Sequence, residues 1–154
     1  MTNETAYIRL ALEQARAAGE ADEVPVGAIV VLSGQVIGAG QNSVIRLKDP
    51  TAHAEILALR AAAQTLGNYR LVGCYLYSTL EPCAMCAGAM VHARIARLIY
   101  GAADPKGGAA GTMLSVINHP GLNHEIEVVS GILAEESGEM LRAFFRERRP
   151  GATS

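Results

Sequence analysis

Two segments, Thr51-Ala52-His53-Ala54-Glu55 and Glu81-Pro82-Cys83-Ala84-Met85-Cys86, decide how this chain of 154 residues folds and what it holds. Pro50, just before the first segment, and Pro82 in the second are signals of a helix start, because proline suits the first helical turn and disfavours helix at the residue before it. Cys83 and Cys86 then lie on one helix face, near the positive end of the dipole, which favours thiolates. Two thiolates and the His53 imidazole predict a zinc site whose fourth corner is left for water.

The first site helix also separates two chemical roles. We expect it to begin after Pro50, with the Thr51 hydroxyl capping free backbone N–H groups. Residues two positions apart do not share a helix face, so Glu55 is not expected to bind the same metal as His53. Glu55 is instead predicted to act as a base beside the metal-bound water, whose pKa zinc lowers to roughly 7.

Two other interpretations of the cysteines are open. Cys83 and Cys86 could form a redox pair, although such a pair does not require an upstream His-x-Glu. A closed structural zinc site would need a fourth protein ligand. Cys74 is the one remaining cysteine. It lies in an apolar run that predicts a strand, so we interpret it as a small buried apolar residue.

Length and composition bound the class of protein. The chain is long enough for one domain, predicted to span residues 1–154, and half of its residues are hydrophobic. We expect neither a signal peptide nor a membrane span, and three cysteines, two of them assigned to metal, favour a reducing cytoplasm. Because the net charge is −2, a nucleic-acid site would have to be a local patch.

The periodicity of the sequence predicts alternating strands and helices. Helices are expected at 4–19, 51–66, 83–93, 112–117 and 133–149, and strands at 26–32, 35–37, 74–79, 97–100 and 126–129. This order predicts an α/β protein with three layers, α/β/α, around a mostly parallel five-stranded sheet. The helix at 83–93 has no charged residue from Cys83 to Val91, which favours burial at a subunit interface.

Three features admit both a structural and a functional interpretation. The glycine- and alanine-rich segment 101–111 is either a flexible loop or a lip close to a substrate. Asn42 either holds a turn or offers its amide to a ligand. The basic end of the last helix, beside Phe144-Phe145, either complements the helix dipole or grips phosphates and stacks a base.

His-x-Glu followed by Pro-Cys-x-x-Cys is the signature of the zinc nucleobase deaminases, and the chain resembles the cytidine deaminase superfamily. Within it, the resemblance is to the bacterial tRNA adenosine deaminases and covers nearly the whole chain. The loop with Asp104 and Lys106, together with the C-terminal segment, favours the tRNA enzymes over other members. The matching segments are 23–28, 49–55, 79–90, 100–102, 104, 106, 108–111, 119–121, 131–133 and 144–146.

The resemblance implies an activity and a set of functional residues. Zinc, held by His53, Cys83 and Cys86, would present a hydroxide to adenine C6 and ammonia would leave, converting the wobble adenosine of an arginine tRNA to inosine. Glu55 would take a proton from the zinc-bound water, deliver it to the ring, and then help protonate the leaving amine. Substrate contacts are implied for Asn42, the backbone of Ala54, Asp104, Lys106, Asn123, Phe145 and Arg149.

The resemblance also implies a homodimer with one zinc ion per subunit and RNA touching both subunits. Two alternatives remain. The acidic net charge permits deamination of a free base or nucleoside, such as guanine or cytidine, although the Asp104 loop and the arginine-rich end argue against it. A non-catalytic zinc- or RNA-binding module is the other alternative, and Glu55 argues against it because a structural zinc site needs no base.

Overall fold

The computed structural model describes residues 3–148, which alternate between strands and helices. The helices are α1 (Asn3–Glu20), α2 (Ala54–Leu66), α3 (Ala84–Ala93) and α4 (Ala134–Arg148). The strands are β1 (Gly27–Leu32), β2 (Gln35–Gln41), β3 (Tyr75–Leu80), β4 (Arg97–Ala102) and β5 (Glu127–Val129). None of these helices within residues 3–148 is both long and apolar enough to cross a membrane.

The predicted elements are confirmed with shifted ends, except for the helix expected at 112–117, which is wrong. That segment forms turns and a single β-bridge residue. Its backbone N–H groups bond to the preceding loop, since Met113 and Leu114 both donate to the carbonyl of Gly108. Six residues are too few to form a stable helix by themselves, so contacts with the rest of the chain decide their conformation.

The five strands form one sheet in the order β2-β1-β3-β4-β5. β3, β4 and β5 are parallel, whereas β1 is antiparallel to both β2 and β3. The sheet is therefore mixed, and the prediction of a mostly parallel sheet is wrong. The cause is α2, which returns the chain so that β3 runs in the direction of β2 but pairs with β1. The β3–α3–β4 crossover keeps the parallel pairing expected of it.

Helices cover both faces of the sheet and confirm the three-layer α/β/α prediction. α2 and α3 pack on one face, and α1 and α4 pack on the other. Val30 and Leu76 belong to the core on the α2–α3 side. Their chain neighbours Ile29 and Tyr77 belong to the core on the α1–α4 side. Since successive strand residues point to opposite faces, a strand buried on both faces serves both layers.

Glycines in β2 let α2 lie directly on the sheet. A β-carbon on Gly40 would stand 2.3 Å from the carbonyl oxygen of Ala54, and one on Gly38 would stand 2.5 Å from that of Ala58. No side chain fits in either place, so the helix rests on the backbone of the strand. This contact fixes the first turn of α2 against the end of β2, where Asn42 follows.

Candidate metal centre and active site

The metal ligands predicted from the sequence lie at the starts of two neighbouring helices. His53 is the N-cap residue of α2 and Cys83 that of α3, and within residues 3–148 neither side chain makes a capping hydrogen bond. Cys86 lies in the first turn of α3. Because α2 and α3 pack together on one face of the sheet, two segments 30 residues apart in sequence meet at their positive helix ends.

The three side chains form one compact donor group. His53 Nδ1 lies 3.5 Å from Cys83 Sγ and 3.4 Å from Cys86 Sγ. All three ligand atoms lie within 4.8 Å of one another, and no other His, Cys, Asp and Glu group in residues 3–148 comes together in this way. Two sulfur atoms and one imidazole nitrogen suit a tetrahedral ion with one open position, so the donor set fits a catalytic zinc ion.

These donors share protons through hydrogen bonds. Bonds from Cys86 and His53 lower the pKa of Cys83 to about 3, which makes its sulfur a thiolate at neutral pH. The bond that Cys86 donates to Cys83, together with burial, raises the pKa of Cys86. The hydrogen bond with Cys83 likewise raises the pKa of His53. Protons held between soft donors in this manner are the ones that a soft divalent ion displaces.

Glu55 lies in the first turn of α2 and is only 4% exposed. Burial raises the pKa of its carboxyl to about 7, and the nearby His53 and Cys86 oppose this rise only in part. The group that could bind a metal is made of the other three side chains. An acid whose pKa is close to ambient pH is suited to accept and return a proton within one reaction cycle.

Asn42 caps α2 in place of the residue expected from the sequence. Its side-chain oxygen accepts the backbone N–H of Ala54 at 2.8 Å. The prediction that Thr51 is the cap is wrong, because its hydroxyl and its N–H both donate to Asp49 Oδ1, at 2.7 and 2.8 Å. The helix consequently begins at Ala54. The capping bond commits the Asn42 oxygen to the helix and leaves its amide nitrogen as the polar atom that can meet a ligand.

The carboxylate of Glu81 organises the loop that follows β4. It accepts the N–H groups of Asp104 at 3.0 Å, Ala110 at 3.0 Å and Thr112 at 3.1 Å. Segment 101–111 is thus held by hydrogen bonds, which favours the ordered lip over the flexible loop. This role of Glu81 was missed at the sequence level, where its one signal is a lone carboxylate between an apolar strand and an uncharged helix.

Asp104 and Lys106 share a turn at the start of this loop. Asp104 Oδ1 accepts the N–H of Lys106 at 3.0 Å and that of Gly107 at 3.2 Å. The side chain of Asp104 is half-buried and that of Lys106 is exposed. The loop therefore presents a cation to solvent, while one carboxylate oxygen of Asp104 stabilises the turn.

The remaining predicted contacts lie away from the donor group. Asn123 lines a cavity of about 330 Å³ with His92 and Arg94, at the C-terminal end of α3. Cys83 and Cys86 stand at the other end of that helix, whose ten residues span about 15 Å. Phe145 is 51% exposed on α4, across the sheet from α2 and α3. Arg149 lies outside the described residues.

The arginines of α4 are engaged with carboxylates. Arg142 and Arg146 both pair with Glu139, at 3.1 and 3.0 Å. Arg148 pairs with Asp22 at 2.6 Å. These contacts, and the acidic first turn of the helix, support the structural interpretation of the charge gradient along α4 more than a grip on phosphates.

Sequence comparison assigns the chain to a family. The model of the MafB19-like deaminases matches residues 2–149. A tRNA-specific adenosine deaminase of Agrobacterium fabrum is 52% identical, over 97% of this chain and 98% of its own length. The tRNA-specific adenosine deaminase of Bacillus subtilis is 46% identical, over 97% of this chain and 92% of its own length. The chain belongs to the tRNA-specific adenosine deaminase family. The resemblance identified from the zinc motif is thereby confirmed.

Solved structures related to this adenosine deaminase family share its fold. One, from a study of A-to-I editing by tRNA:A34 deaminases at the wobble position of transfer RNA, is 51% identical with a TM-score of 0.86, covering 89% of this chain and 99% of that one. A guanine deaminase from Nitrosomonas europaea is 30% identical with a TM-score of 0.79, covering 91% and 83%. The same fold thus occurs in deaminases of different substrates, so the fold alone does not select one.

Proposed function

We propose that this chain is a zinc-dependent hydrolase that converts the wobble adenosine of an arginine tRNA to inosine, consuming water and releasing ammonia. The observation that carries the proposal is the meeting of His53, Cys83 and Cys86 beside the buried carboxylate of Glu55. The tRNA-specific adenosine deaminases among its relatives support the choice of substrate. We also propose that residues 1–154 form one domain and that the protein acts in the cytoplasm.

Four side chains divide the chemistry. His53, Cys83 and Cys86 would hold the zinc ion, which supplies, when bound, the Lewis acidity that activates a water molecule. Glu55 takes the proton that this water loses, because its carboxyl lies against the donor group and has a pKa of about 7. As the water oxygen bonds to adenine C6, Glu55 passes this first proton to the ring nitrogen N1. It then takes the second proton from the hydroxyl on C6 and gives it to the amine, which leaves as ammonia when the C6–N bond breaks and the C6 carbonyl forms.

Residues around the donor group would recognise the reacting nucleotide. The amide of Asn42 and the backbone of Ala54 are proposed to contact the adenine edge, since both lie at the helix turn that carries His53 and Glu55. Asp104 is proposed to contact the sugar or the nucleotide backbone, with Lys106 exposed on the same turn.

Contacts beyond the reacting nucleotide are proposed for Asn123, Phe145 and Arg149. The position of Asn123 at the far end of α3 fits RNA that reaches the second subunit of a dimer. Phe145 offers an exposed ring on which a base could stack.

A homodimer is proposed from the surface between α2 and α3. A groove of about 340 Å³ there is lined mainly by apolar side chains, which are Ile56, Leu59, Ala63, Leu71, Ala89 and Ala93. Contiguous apolar surface of this kind marks a contact with another protein surface. Size-exclusion chromatography with light scattering is expected to give twice the chain mass of 16.2 kDa, and a monomer at all concentrations would exclude the dimer.

The proposed reaction is tested on an anticodon stem-loop of the arginine tRNA with adenosine at the wobble position. Zinc-loaded protein is expected to convert that adenosine to inosine, read by sequencing, and to release one ammonia per inosine. A stem-loop whose single adenosine lies in the stem is the matched control and is expected to stay unchanged. No inosine from protein that contains one zinc ion per chain would refute the proposal.

Deamination of a free base is the second candidate function. The likeness to a guanine deaminase favours it, and the acidic net charge permits it. A panel of guanine, cytidine and adenosine, assayed by ammonia release beside the stem-loop, separates the two. We expect ammonia from the stem-loop alone, whereas faster release from a free base would replace the tRNA assignment.

A further inference from the structure

Glu81 is an acidic residue buried inside the protein. The side chain is 1% exposed, and burial opposes its ionisation. Backbone N–H groups of Asp104, Ala110 and Thr112 offset this cost by donating hydrogen bonds to the Glu81 carboxylate. None of the ion pairs formed within residues 3–148 includes Glu81. A buried carboxylate that relies on N–H groups instead of a cation is costly, and its partners indicate its purpose.

All of these partners belong to one loop, residues 104–112. Glu81 Oε1 accepts the N–H of Asp104 at the loop's start, while Oε2 accepts those of Ala110 and Thr112 near its end. The middle of the loop packs closely against the Glu81 carboxyl, because a β-carbon on Gly108 would stand 2.4 Å from it. One carboxylate thus holds both ends of the loop and packs against its centre.

Glu81 also lies next to the helix that carries Cys86, so it connects the 104–112 loop to the candidate metal site. Glu81 precedes Cys83 by two residues, and the carbonyl of Pro82 accepts the N–H of Ala109 at 2.8 Å. The loop is therefore fastened to the segment that leads into α3. The hydrogen bond from the Asp104 N–H to Glu81 sets the position of Asp104. Asp104 is the residue of this loop that is proposed above to contact the substrate.

We propose that Glu81 is a positioning residue that fixes the 104–112 loop relative to the metal ligands, so that Asp104 reaches the sugar of the substrate nucleotide. The substrate in this inference rests on the proposed tRNA deamination. Glu81 itself touches neither the substrate nor the donor group in this role. Its carboxylate acts through the backbone of the loop, and the loop is needed for binding in both the ground state and the transition state.

The test is Glu81→Gln in zinc-loaded protein, because glutamine keeps the size of the side chain but turns an N–H₂ group toward backbone N–H donors. Hydrogen–deuterium exchange in 104–112 is expected to accelerate about tenfold, and KM for the stem-loop to rise about tenfold, with kcat within about twofold of wild type. Zinc content should stay at one per chain. Glu13→Gln, an exposed residue of α1, is the matched control and should change none of these values.

Gly108→Ala disturbs the packing of the loop against the Glu81 carboxyl. This variant tests the positioning role of Glu81 if Glu81→Gln does not fold. It is expected to give the same faster exchange and the same rise in KM. Unchanged exchange in 104–112 overturns the inference, as does a loss of zinc or a fall in kcat at constant KM. Hydrogen–deuterium exchange does not depend on turnover. If the wild-type protein makes no inosine, the proposed function is refuted, but the exchange measurement still tests the role of Glu81.

Discussion

The side-chain oxygen of Asn42 accepts the backbone N–H of Ala54 at 2.8 Å, at the first residue of α2. One polar side chain outside the helix thereby fixes the turn that carries both His53 and Glu55. The same residue stabilises the fold and is proposed to meet the substrate, so its two roles call for two different substitutions.

Asn42→Ala is expected to lower the free energy of unfolding by about 1 kcal/mol, because the first N–H of α2 loses its partner. Asn42→Asp keeps an acceptor oxygen near the positive helix end and should retain stability. Both changes should lower inosine formation, since both remove the amide nitrogen. Urea denaturation and the stem-loop assay measure the two effects, and equal destabilisation by Asp and Ala would contradict the capping role.

Glu55→Gln is expected to lower kcat by at least about a hundredfold, because an amide of the same shape cannot accept and return the proton. Zinc content should remain at one per chain, since the donor group consists of the other three side chains. Metal analysis and the stem-loop assay on the same preparation separate these outcomes. Turnover close to wild type would remove Glu55 from the proton transfer.

Cys86→Ala is expected to abolish stoichiometric zinc, because it removes one of the three donors that the described part of the chain brings together. Cys74→Ala is the matched control. That thiol is fully buried in the core on the α2–α3 side, so its loss should cost about 1 kcal/mol of stability and leave zinc unchanged. Elemental analysis of both proteins provides the comparison, and retention of one zinc ion by Cys86→Ala would refute the assignment of the site.

Stability should fall at acid pH through Glu81. Its pKa is lower in the folded chain than the ordinary value of 4.5, so the unfolded chain binds more protons between these two values. The stabilisation is therefore fully present above pH 4.5 and is lost as the pH falls through the folded pKa. The free-energy difference between wild type and Glu81→Gln should be constant near neutral pH and shrink below pH 4.5. A difference that grows on acidification would have the wrong sign.

Gly40→Ala is expected to destabilise the protein by about 1–3 kcal/mol, because its β-carbon would stand 2.3 Å from the Ala54 carbonyl oxygen. Gly88→Ala is the control, since a β-carbon on this residue of α3 meets no atom of residues 3–148 within 4 Å. That change should be neutral or stabilise by about 0.5–1 kcal/mol. Thermal unfolding measures both, and equal effects would show that close packing of α2 on β2 is unimportant.

The elements and the candidate ligands could be predicted from the sequence because their signals are local. Helical and strand periodicity, and the spacing of Cys83 and Cys86, depend on residues within one or two turns. The different roles of His53 and Glu55 were also predicted from their spacing of two residues, although His53 lies just before α2 as its N-cap. What local patterns do not contain is the direction in which β1 and β3 pair, and this is why the mixed sheet was not predicted.

The sequence by itself determined which side chains are proposed to hold a metal and which carboxylate is proposed to move a proton, since these proposals follow from side-chain chemistry. Only the tertiary structure decided that His53 meets cysteines 30 and 33 residues away. It also decided that Asn42, rather than Thr51, caps α2, and that Glu81 holds a loop 23 to 31 residues distant. The reason is that polar groups take partners wherever packing brings them within about 3 Å, and packing depends on the whole chain.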